Sequence, residues 1–302
     1  MYDSYVIGID IGGTNFRIGA VYPDNQIREF RKVSIKDVFI SEYPLEDLVG
    51  YIRGYMQEPE ICGEARAVAI GFPATVNRER TVVVQAPNVK YMENLPVVEY
   101  LENNLQIPVY IERDVCMTVC YDMEKLEIPQ KGILTAFYFG TGIGNAICID
   151  GVPLLGKNGA AGELGHIPVP GSTDVCGCGN LGCVENIAGG KYLAKLCREK
   201  YPHIYIGDIF SKCREKQDII DFVDRMAMAA AAEINILDPD YIIVGGGVPN
   251  MKDFPVALLD QKIHEHVRKP YPEKSLDIIY VSDDDMKSVT GAGIFVRKKK
   301  GE

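Results

Sequence analysis

Tyr5-Val6-Ile7-Gly8-Ile9-Asp10-Ile11-Gly12-Gly13-Thr14-Asn15 joins an apolar run rich in β-branched residues to a glycine turn. The run predicts a buried strand over residues 5–10, and a second strand (16–21) and a hairpin turn (23–25) follow. The same order returns later as a strand over 133–139, the turn Gly140-Thr141-Gly142-Ile143-Gly144, a strand over 145–149 and a hairpin turn at 150–151. This duplication predicts an α/β chain with two similar lobes and an interlobe cleft.

A second informative stretch holds one histidine and three cysteines. Gly162-Glu163-Leu164-Gly165-His166 is followed by Cys176-Gly177-Cys178-Gly179-Asn180-Leu181-Gly182-Cys183-Val184-Glu185. His166, Cys176, Cys178 and Cys183 make up the set of four nitrogen and sulfur ligands that a structural zinc site requires. A disulfide or three unligated thiols are the alternatives. A disulfide needs an oxidising compartment, and no signal peptide is visible at the start of the sequence. Glu163 and Glu185 flank the set and would present polar groups to a ligand.

The composition limits the classes of function. A chain of 302 residues is long for one core, which favours two lobes with a boundary near residues 115–130. A formal net charge of -10 argues against a nucleic-acid partner, and no apolar run approaches the ~20 residues that span a bilayer. We therefore expect a cytoplasmic protein that acts on a small molecule.

The two glycine turns are candidate phosphate loops. Gly12 and Gly13 would let backbone N–H groups approach an anion, Thr14 offers a hydroxyl, and Asp10 could orient Mg²⁺. Thr141 and Gly142 hold the matching place in the second half, and two such loops would clamp a triphosphate. Gly245-Gly246-Gly247 follows a predicted buried strand and permits close approach of a flat ring or a ribose. A tight turn before a helix explains these three glycines equally well.

Glu112-Arg113-Asp114 lies at the end of another predicted strand, over 109–112. Charged residues at the carboxyl end of a strand often line a crevice, where Asp114 could accept a proton from an attacking hydroxyl. Arg113 could hydrogen-bond a substrate oxygen or pair with Glu112. The structural alternative is that Asp114 is the N-cap of the helix predicted over 115–126.

Four motifs in this order resemble the ROK family of sugar kinases and repressors over essentially the whole chain. They are Asp10-x-Gly-Gly-Thr14, Gly140-Thr-Gly-x-Gly144, Gly162-Glu-x-Gly-His166 and Cys176-x-Cys-Gly-x-x-Gly-Cys183-x-Glu185. The resemblance implies an actin-like ATPase (ribonuclease-H-like) fold, ATP with Mg²⁺, a structural Zn²⁺ near the sugar, and a homodimer. We expect a small lobe of residues 1–116 with a C-terminal helix at about 288–302, and a large lobe of residues 117–287 with the zinc-binding loop.

The family also implies roles for single residues. Asp114 would be the base that deprotonates the sugar hydroxyl, while Asp10 and Thr14 would serve Mg²⁺ and phosphate. Thr141 would belong to the second phosphate loop. The residues expected to bind the sugar are Asn88, Arg113, Asp114, Glu163, His166 and Glu185. His166 would also bind zinc.

Two departures from glucokinase-like members of the family concern the substrate. Those members have Asn-Asp where this chain has Arg113-Asp114, and Gly-x-Pro-Gly where it has Gly71-Phe72-Pro73-Ala74. Both departures resemble bacterial D-allose kinases, so the expected reaction is phosphorylation of D-allose to D-allose 6-phosphate. The alternatives are glucokinase or another hexose or N-acetylhexosamine kinase, and, in another class, a non-catalytic sugar-sensing regulator.

Overall fold

The computed structural model describes residues 4–87 and 89–301, and the chain divides into two compact units. The first unit comprises Met1–Pro129, Leu155–Ala161 and Asp284–Glu302. The second comprises Gln130–Leu154 and Gly162–Asp283.

The strands of both units follow the predicted runs closely. Their bounds are β1 (Ser4–Ile11), β2 (Asn15–Val21), β3 (Ile27–Ser34), β4 (Glu64–Phe72), β5 (Thr75–Val76), β6 (Val83–Gln85), β7 (Val109–Arg113), β8 (Ile133–Phe139), β9 (Ile143–Ile149), β10 (Val152–Pro153), β11 (Tyr241–Gly245) and β12 (Ile278–Tyr280).

The helices lie between and after these strands. Their bounds are α1 (Ile35–Val38), α2 (Pro44–Met56), α3 (Val97–Leu105), α4 (Asp114–Lys125), α5 (Glu185–Ala188), α6 (Gly190–Lys200), α7 (Ile209–Cys213), α8 (Gln217–Leu237), α9 (Val256–His266) and α10 (Lys287–Lys300). No helix among the described residues is both long and apolar enough to span a bilayer.

The two main sheets share one topology. The first has the order β3-β2-β1-β4-β7 and the second has the order β10-β9-β8-β11-β12. In each sheet the first three strands in this order pair antiparallel and the last three pair parallel. The duplication predicted from the two glycine turns is therefore confirmed at the level of strand order and direction.

Both sheets bury apolar side chains under helices. In the first unit, Ile7 and Ile9 face a core shared with α2 and α3, whereas Val6 faces a smaller core shared with α4 and α10. A central strand covered on both faces requires the continuous apolar run seen at residues 5–11. In the second unit, Phe137 and Val244 join the core formed by α6, α8 and α9.

The boundary between the units differs from the division after residue 116, which would cut α4. This helix packs against α10 in the first unit, where the hydroxyl groups of Thr118 and Ser288 are 2.7 Å apart. Asp122 and Lys287 form a buried ion pair of 2.7 Å between the same helices. The chain passes to the second unit after Pro129, and the segment Leu155–Ala161 returns to the first.

Candidate active site and metal centre

Asp10 and Asp114 are brought together at the carboxyl edge of the first sheet through Gly71. In the strand register, Asp10 of β1 pairs with Gly71 of β4, and Gly71 pairs with Glu112 of β7. A Cβ atom on Gly71 would stand 3.1 Å from the Cα atom of Asp114. The missing side chain therefore lets the start of α4 lie against β4. Parallel strands meet at one edge, and this places both carboxylates in the same region of the unit.

Asp114 is the first residue of α4, and Arg113, in an extended conformation, holds the N-cap position. The Asp114 Oδ1 atom accepts a hydrogen bond of 2.8 Å from the backbone N–H of Val115. The backbone carbonyl of Asp114 accepts one of 3.1 Å from Thr118 Oγ1. These contacts fix the residue locally, at the helix end where an anionic side chain is stabilised.

Asp10 is buried beside Arg17, which was not among the predicted site residues. Arg17 Nη1 donates to Asp10 Oδ2 over 2.8 Å, and the second end of the guanidinium donates to Asp285 Oδ1 over 2.9 Å. Burial raises the pKa of the Asp10 carboxyl, while the charge and hydrogen bond of Arg17 act in the opposite direction. An arginine inside the apolar run of β2, directly paired with Asp10, was the available sequence signal.

The turn after β1 is open to solvent. Gly12 N donates to Asn15 O over 2.8 Å, which closes the turn, and Gly13 and Thr14 are exposed. The exposed turn next to a carboxylate suits Mg²⁺, because this ion binds through one or two carboxylates and keeps waters and phosphate oxygens as its other ligands.

Glu112 and Arg113 have separate partners. The side chain of Glu112 pairs with Arg80 over 2.8 Å, a residue that no sequence pattern connected to it. The Arg113 guanidinium donates instead to the backbone carbonyl of Ala161. The side-chain pair between Glu112 and Arg113, which was the alternative from the sequence, stays a prediction. The backbone N–H of Arg113 also donates to the Glu112 carboxylate, over 2.9 Å.

The second unit brings His166, Cys176, Cys178 and Cys183 into one cluster, as predicted. One ligand atom from each residue can be chosen so that all four lie within 4.8 Å of one another. The Sγ atoms of Cys178 and Cys183 are 3.6 Å apart, and Cys176 Sγ is 3.5 Å from His166 Nδ1. Sulfur ligands about 2.3 Å from a tetrahedral Zn²⁺ stand roughly 3.8 Å from each other. The donor set and spacing therefore fit one tetrahedral ion.

The two glutamates predicted to flank this cluster lie beside its histidine. His166 Nε2 is 3.6 Å from a carboxylate oxygen of Glu163, and His166 Nδ1 is 3.8 Å from one of Glu185. Cys176 Sγ also donates to Glu185 Oε1 over 3.1 Å. Both glutamates remain partly exposed, so they present carboxylates next to His166 of the cluster.

Glu185 also touches the second glycine turn. A Cβ atom on Gly142 would stand 2.4 Å from Oε2 of Glu185. The turn is held by the start of α6, where the backbone N–H groups of Gly190 and Lys191 donate to the carbonyls of Gly140 and Thr141 over 2.8 and 2.9 Å. The helix amides thus anchor the turn and leave Thr141 exposed.

The triple glycine lies next to the same turn. Gly245 ends β11 and pairs with Tyr138 of β8, and Val248 N donates to Phe139 O over 2.8 Å. At Gly246, where φ is +92°, a Cβ atom would meet the Phe139 backbone at 2.7 Å. This close packing explains the glycine at position 246, so the tight-turn alternative accounts for the middle glycine.

Asn88, another predicted sugar contact, lies outside the described residues.

A sequence profile of the ROK family matches residues 6–299 of this chain. The glucokinase of Thermotoga maritima is 29% identical over 284 residues, which cover 87% of this chain and 88% of that protein. The xylose repressor of Caldicellulosiruptor bescii is 26% identical over 294 residues, which cover 87% of this chain and 70% of the repressor.

Similar structures agree with the fold. The ROK family glucokinase from Streptomyces griseus, solved in complex with glucose and AMPPNP, superposes with a TM-score of 0.79 at 22% sequence identity. The superposition covers 97% of this chain and 99% of that enzyme. Together with the repeated strand order, this likeness confirms the predicted actin-like ATPase (ribonuclease-H-like) fold.

Proposed function

The chain belongs to the ROK family, and from this premise we propose that it is an ATP-dependent sugar kinase that phosphorylates the C6 hydroxyl of an aldohexose. The observation that carries the proposal is the contact between Gly142 and Glu185 in the second unit. It joins a glycine turn suited to phosphate to the carboxylates around the metal cluster, which are suited to sugar hydroxyls. A transfer between phosphate and sugar needs both kinds of group in one place.

In this proposal Asp114 is the catalytic base. It accepts the proton of the C6 hydroxyl while that oxygen attacks the γ-phosphorus of ATP in line. The bond from phosphorus to the β,γ-bridging oxygen breaks, giving hexose 6-phosphate and ADP. An aspartate that receives a substrate hydroxyl proton is the usual base in phosphoryl transfer to alcohols. The hydrogen bond from Val115 N holds one carboxylate oxygen in place, so the residue enters the reaction with a fixed orientation.

Sugar binding is assigned to Glu163, His166 and Glu185, with Asn88 and Arg113. Carboxylates bind vicinal hydroxyls as paired acceptors, and the imidazole next to them restricts their orientation. The Arg113 guanidinium donates to the carbonyl of Ala161. It would therefore affect sugar binding partly by fixing the backbone of the segment Leu155–Ala161.

The nucleotide end is assigned to both glycine turns. Gly13 and Thr14, and Thr141 with Gly142, would offer backbone N–H and hydroxyl groups to phosphate oxygens. Gly12 would shape the first turn, because its N–H donates to Asn15 O. Asp10 would hold Mg²⁺, which neutralises phosphate charge when bound. Gly245, Gly246 and Gly247 would leave room for the adenosine.

The metal cluster is assigned a structural role with Zn²⁺. Four protein ligands complete a tetrahedral site, so the ion would hold the segment from His166 to Cys183 in shape and leave the chemistry to the residues around it.

The family resemblance further predicts a homodimer. Sedimentation analysis would measure the mass of the assembly in solution and so test this prediction.

D-allose is the proposed substrate. The support is chemical: Arg113 and Ala74 replace a short amide and a glycine where glucokinase-like members contact the sugar, and a changed donor pattern changes which hydroxyls are accepted. A buried donor left unpaired costs about 1–3 kcal/mol. Glucose and N-acetylhexosamines are the alternatives within the kinase class, and the similarity to a xylose repressor supports a non-catalytic sugar-sensing regulator as the alternative of another class.

The test is ADP release by zinc-loaded protein with ATP, Mg²⁺ and a panel of allose, glucose, mannose, fructose, N-acetylglucosamine and N-acetylmannosamine, against a control without sugar. The highest kcat/KM with allose would support the full proposal. A preference for another sugar would keep the kinase and reject allose. Sugar binding by calorimetry without sugar-dependent ADP would favour the regulator.

A further inference from the structure

The segment Leu155–Ala161 is held in the first unit by two buried arginines. Arg80 Nη1 donates to Gly159 O over 3.1 Å, and Arg113 Nη1 donates to Ala161 O. Both contacts use backbone carbonyls of the segment, so they depend on its path through the unit.

Arg80 is fixed by a buried ion pair. Its side chain is 6% exposed and that of Glu112 is 2% exposed. Nε and Nη2 of the guanidinium each lie 2.8 Å from a different oxygen of the Glu112 carboxylate, while Nη1 also donates to Val76 O over 2.8 Å. This two-pronged geometry is rigid, and a buried charge needs such complete pairing to be tolerated.

The backbone conformation of Gly159 allows the hydrogen bond between its carbonyl and Arg80. Its φ is +78°, which favours glycine, and a Cβ atom would stand 2.4 Å from Val76 O and 2.5 Å from Arg80 Nη1. The backbone can approach the guanidinium this closely only without a side chain.

The contacts made by Arg80, Glu112 and Arg113 lie close in the chain to two residues of the proposed reaction, Asp114 and Glu163. Glu112 Oε1 accepts the backbone N–H of Arg113, directly before Asp114, over 2.9 Å. The clamped carbonyl of Ala161 is two residues before Glu163 in the chain. One buried ion pair therefore constrains the backbone at the start of α4 and the backbone that leads to Glu163.

We propose that Arg80 is a positioning residue for sugar binding, acting through Glu112 and the carbonyl of Gly159. The inference rests on the kinase function proposed above. Arg80 sets the path of the Leu155–Ala161 segment, and with it the position of the Glu163 carboxylate, while the nucleotide end does not depend on it.

The experiment uses the full-length, zinc-loaded chain with Arg80→Lys, which keeps the charge but cannot bind two oxygens of Glu112 and the Gly159 carbonyl together. The double variant Arg80→Gln with Glu112→Gln removes both charges at once, so that no unpaired buried charge remains if the single variant folds poorly. Arg78→Lys, at an exposed arginine two residues away, is the matched control. The readouts are KM for sugar, KM for ATP, sugar affinity by calorimetry, and amide hydrogen exchange over residues 155–161.

Displacing a binding group by an ångström can cost about 100-fold, so we expect KM for sugar to rise at least about 10-fold with KM for ATP within about twofold. Amide exchange over residues 155–161 should accelerate, and Arg78→Lys should match wild type. Unchanged sugar KM in folded variants would overturn the positioning role, whether or not exchange changes. An equal rise in both KM values would also overturn it. If wild type releases no ADP with any sugar, the kinase proposal fails, and calorimetric sugar affinity of wild type and Arg80→Lys decides the role of Arg80 alone.

Discussion

Glu185 occupies the space that a side chain on Gly142 would need, since a Cβ atom there would stand 2.4 Å from Glu185 Oε2. The glycine turn and the glutamate that follows the last cysteine of the cluster are thus adjacent in the second unit. A larger residue at Gly142 should therefore displace the carboxylate of Glu185.

The first prediction concerns Gly142→Ala. The new methyl group would displace the far end of the Glu185 side chain and leave the backbone in place, so stability should change little. The lost carboxylate position should raise KM for sugar by about 10-fold or more. Steady-state kinetics and a thermal melt would measure the two effects. Gly50→Ala is the control because nothing lies within 4 Å of a Cβ atom there. A normal sugar KM in Gly142→Ala would contradict the role of Glu185.

The second prediction concerns Asp114→Asn. The amide retains Oδ1 for the hydrogen bond from Val115 N but cannot take a proton, so kcat should fall about 10²- to 10⁴-fold. Sugar affinity measured by calorimetry should stay close to wild type. Asp277→Asn, at an exposed position, should keep full activity. Turnover near the wild-type rate in Asp114→Asn would remove this residue from the mechanism.

The third prediction concerns the metal. Purified protein should contain about one Zn²⁺ per chain by elemental analysis, as one tetrahedral set of ligands requires. Cys178→Ser should lose the ion and lower Tm by about 5 °C or more, because metal binding contributes directly to folding. The exposed Cys62→Ser should keep both. A stable, active Cys178→Ser variant without zinc would show that the ion is dispensable.

The fourth prediction concerns Glu233 of α8, a buried carboxyl that accepts hydrogen bonds from Thr135 Oγ1 and, over 2.8 Å, from Asn145 Nδ2. Burial raises its pKa above 4.5, and the two hydrogen bonds only partly oppose this. A raised folded-state pKa means that the protonated group stabilises the fold fully below the unfolded pKa. That stability is lost as pH rises through the folded-state pKa.

Glu233→Gln removes this titration. The Tm of wild type minus that of Glu233→Gln should therefore decrease as pH rises from 4.5 towards neutrality. Thermal melts across this range would measure the difference, with the exposed Glu215→Gln variant as the reference. A difference that is constant with pH would contradict the shifted pKa.

Much of the fold was predictable because it is encoded locally. The apolar run of β1 with its glycine turn, and the matching run and turn of β8, predicted the repeated topology. The predicted strand over 133–139 has the observed bounds of β8, and the predicted strand over 16–21 differs from β2 by one residue. Short helices with weak patterns, such as α5 and α7, were not predicted, since their ends are set by packing.

The candidate site was likewise predictable from the sequence only in part. The four residues of the candidate metal site could be named because three of them lie within eight residues of one another, and this spacing is a local property. The partners of the arginines could not be named. Arg17, Arg80 and Arg113 each bind a group that is distant in the sequence or belongs to the backbone, and no pattern of residue types indicates a carbonyl.

The sequence by itself determined the two strand–turn–strand repeats, the histidine and cysteines of the candidate metal site, and the acidic residues available for chemistry. Only the tertiary structure decided that Glu112 pairs with Arg80, that Arg113 holds Ala161, and that Gly142 lies against Glu185. Hydrophobic periodicity and ligand spacing act over a few residues and can be read along the chain. Hydrogen bonds and close contacts depend on distances of a few tenths of an ångström between elements, which only the register of strands and the packing of helices establish.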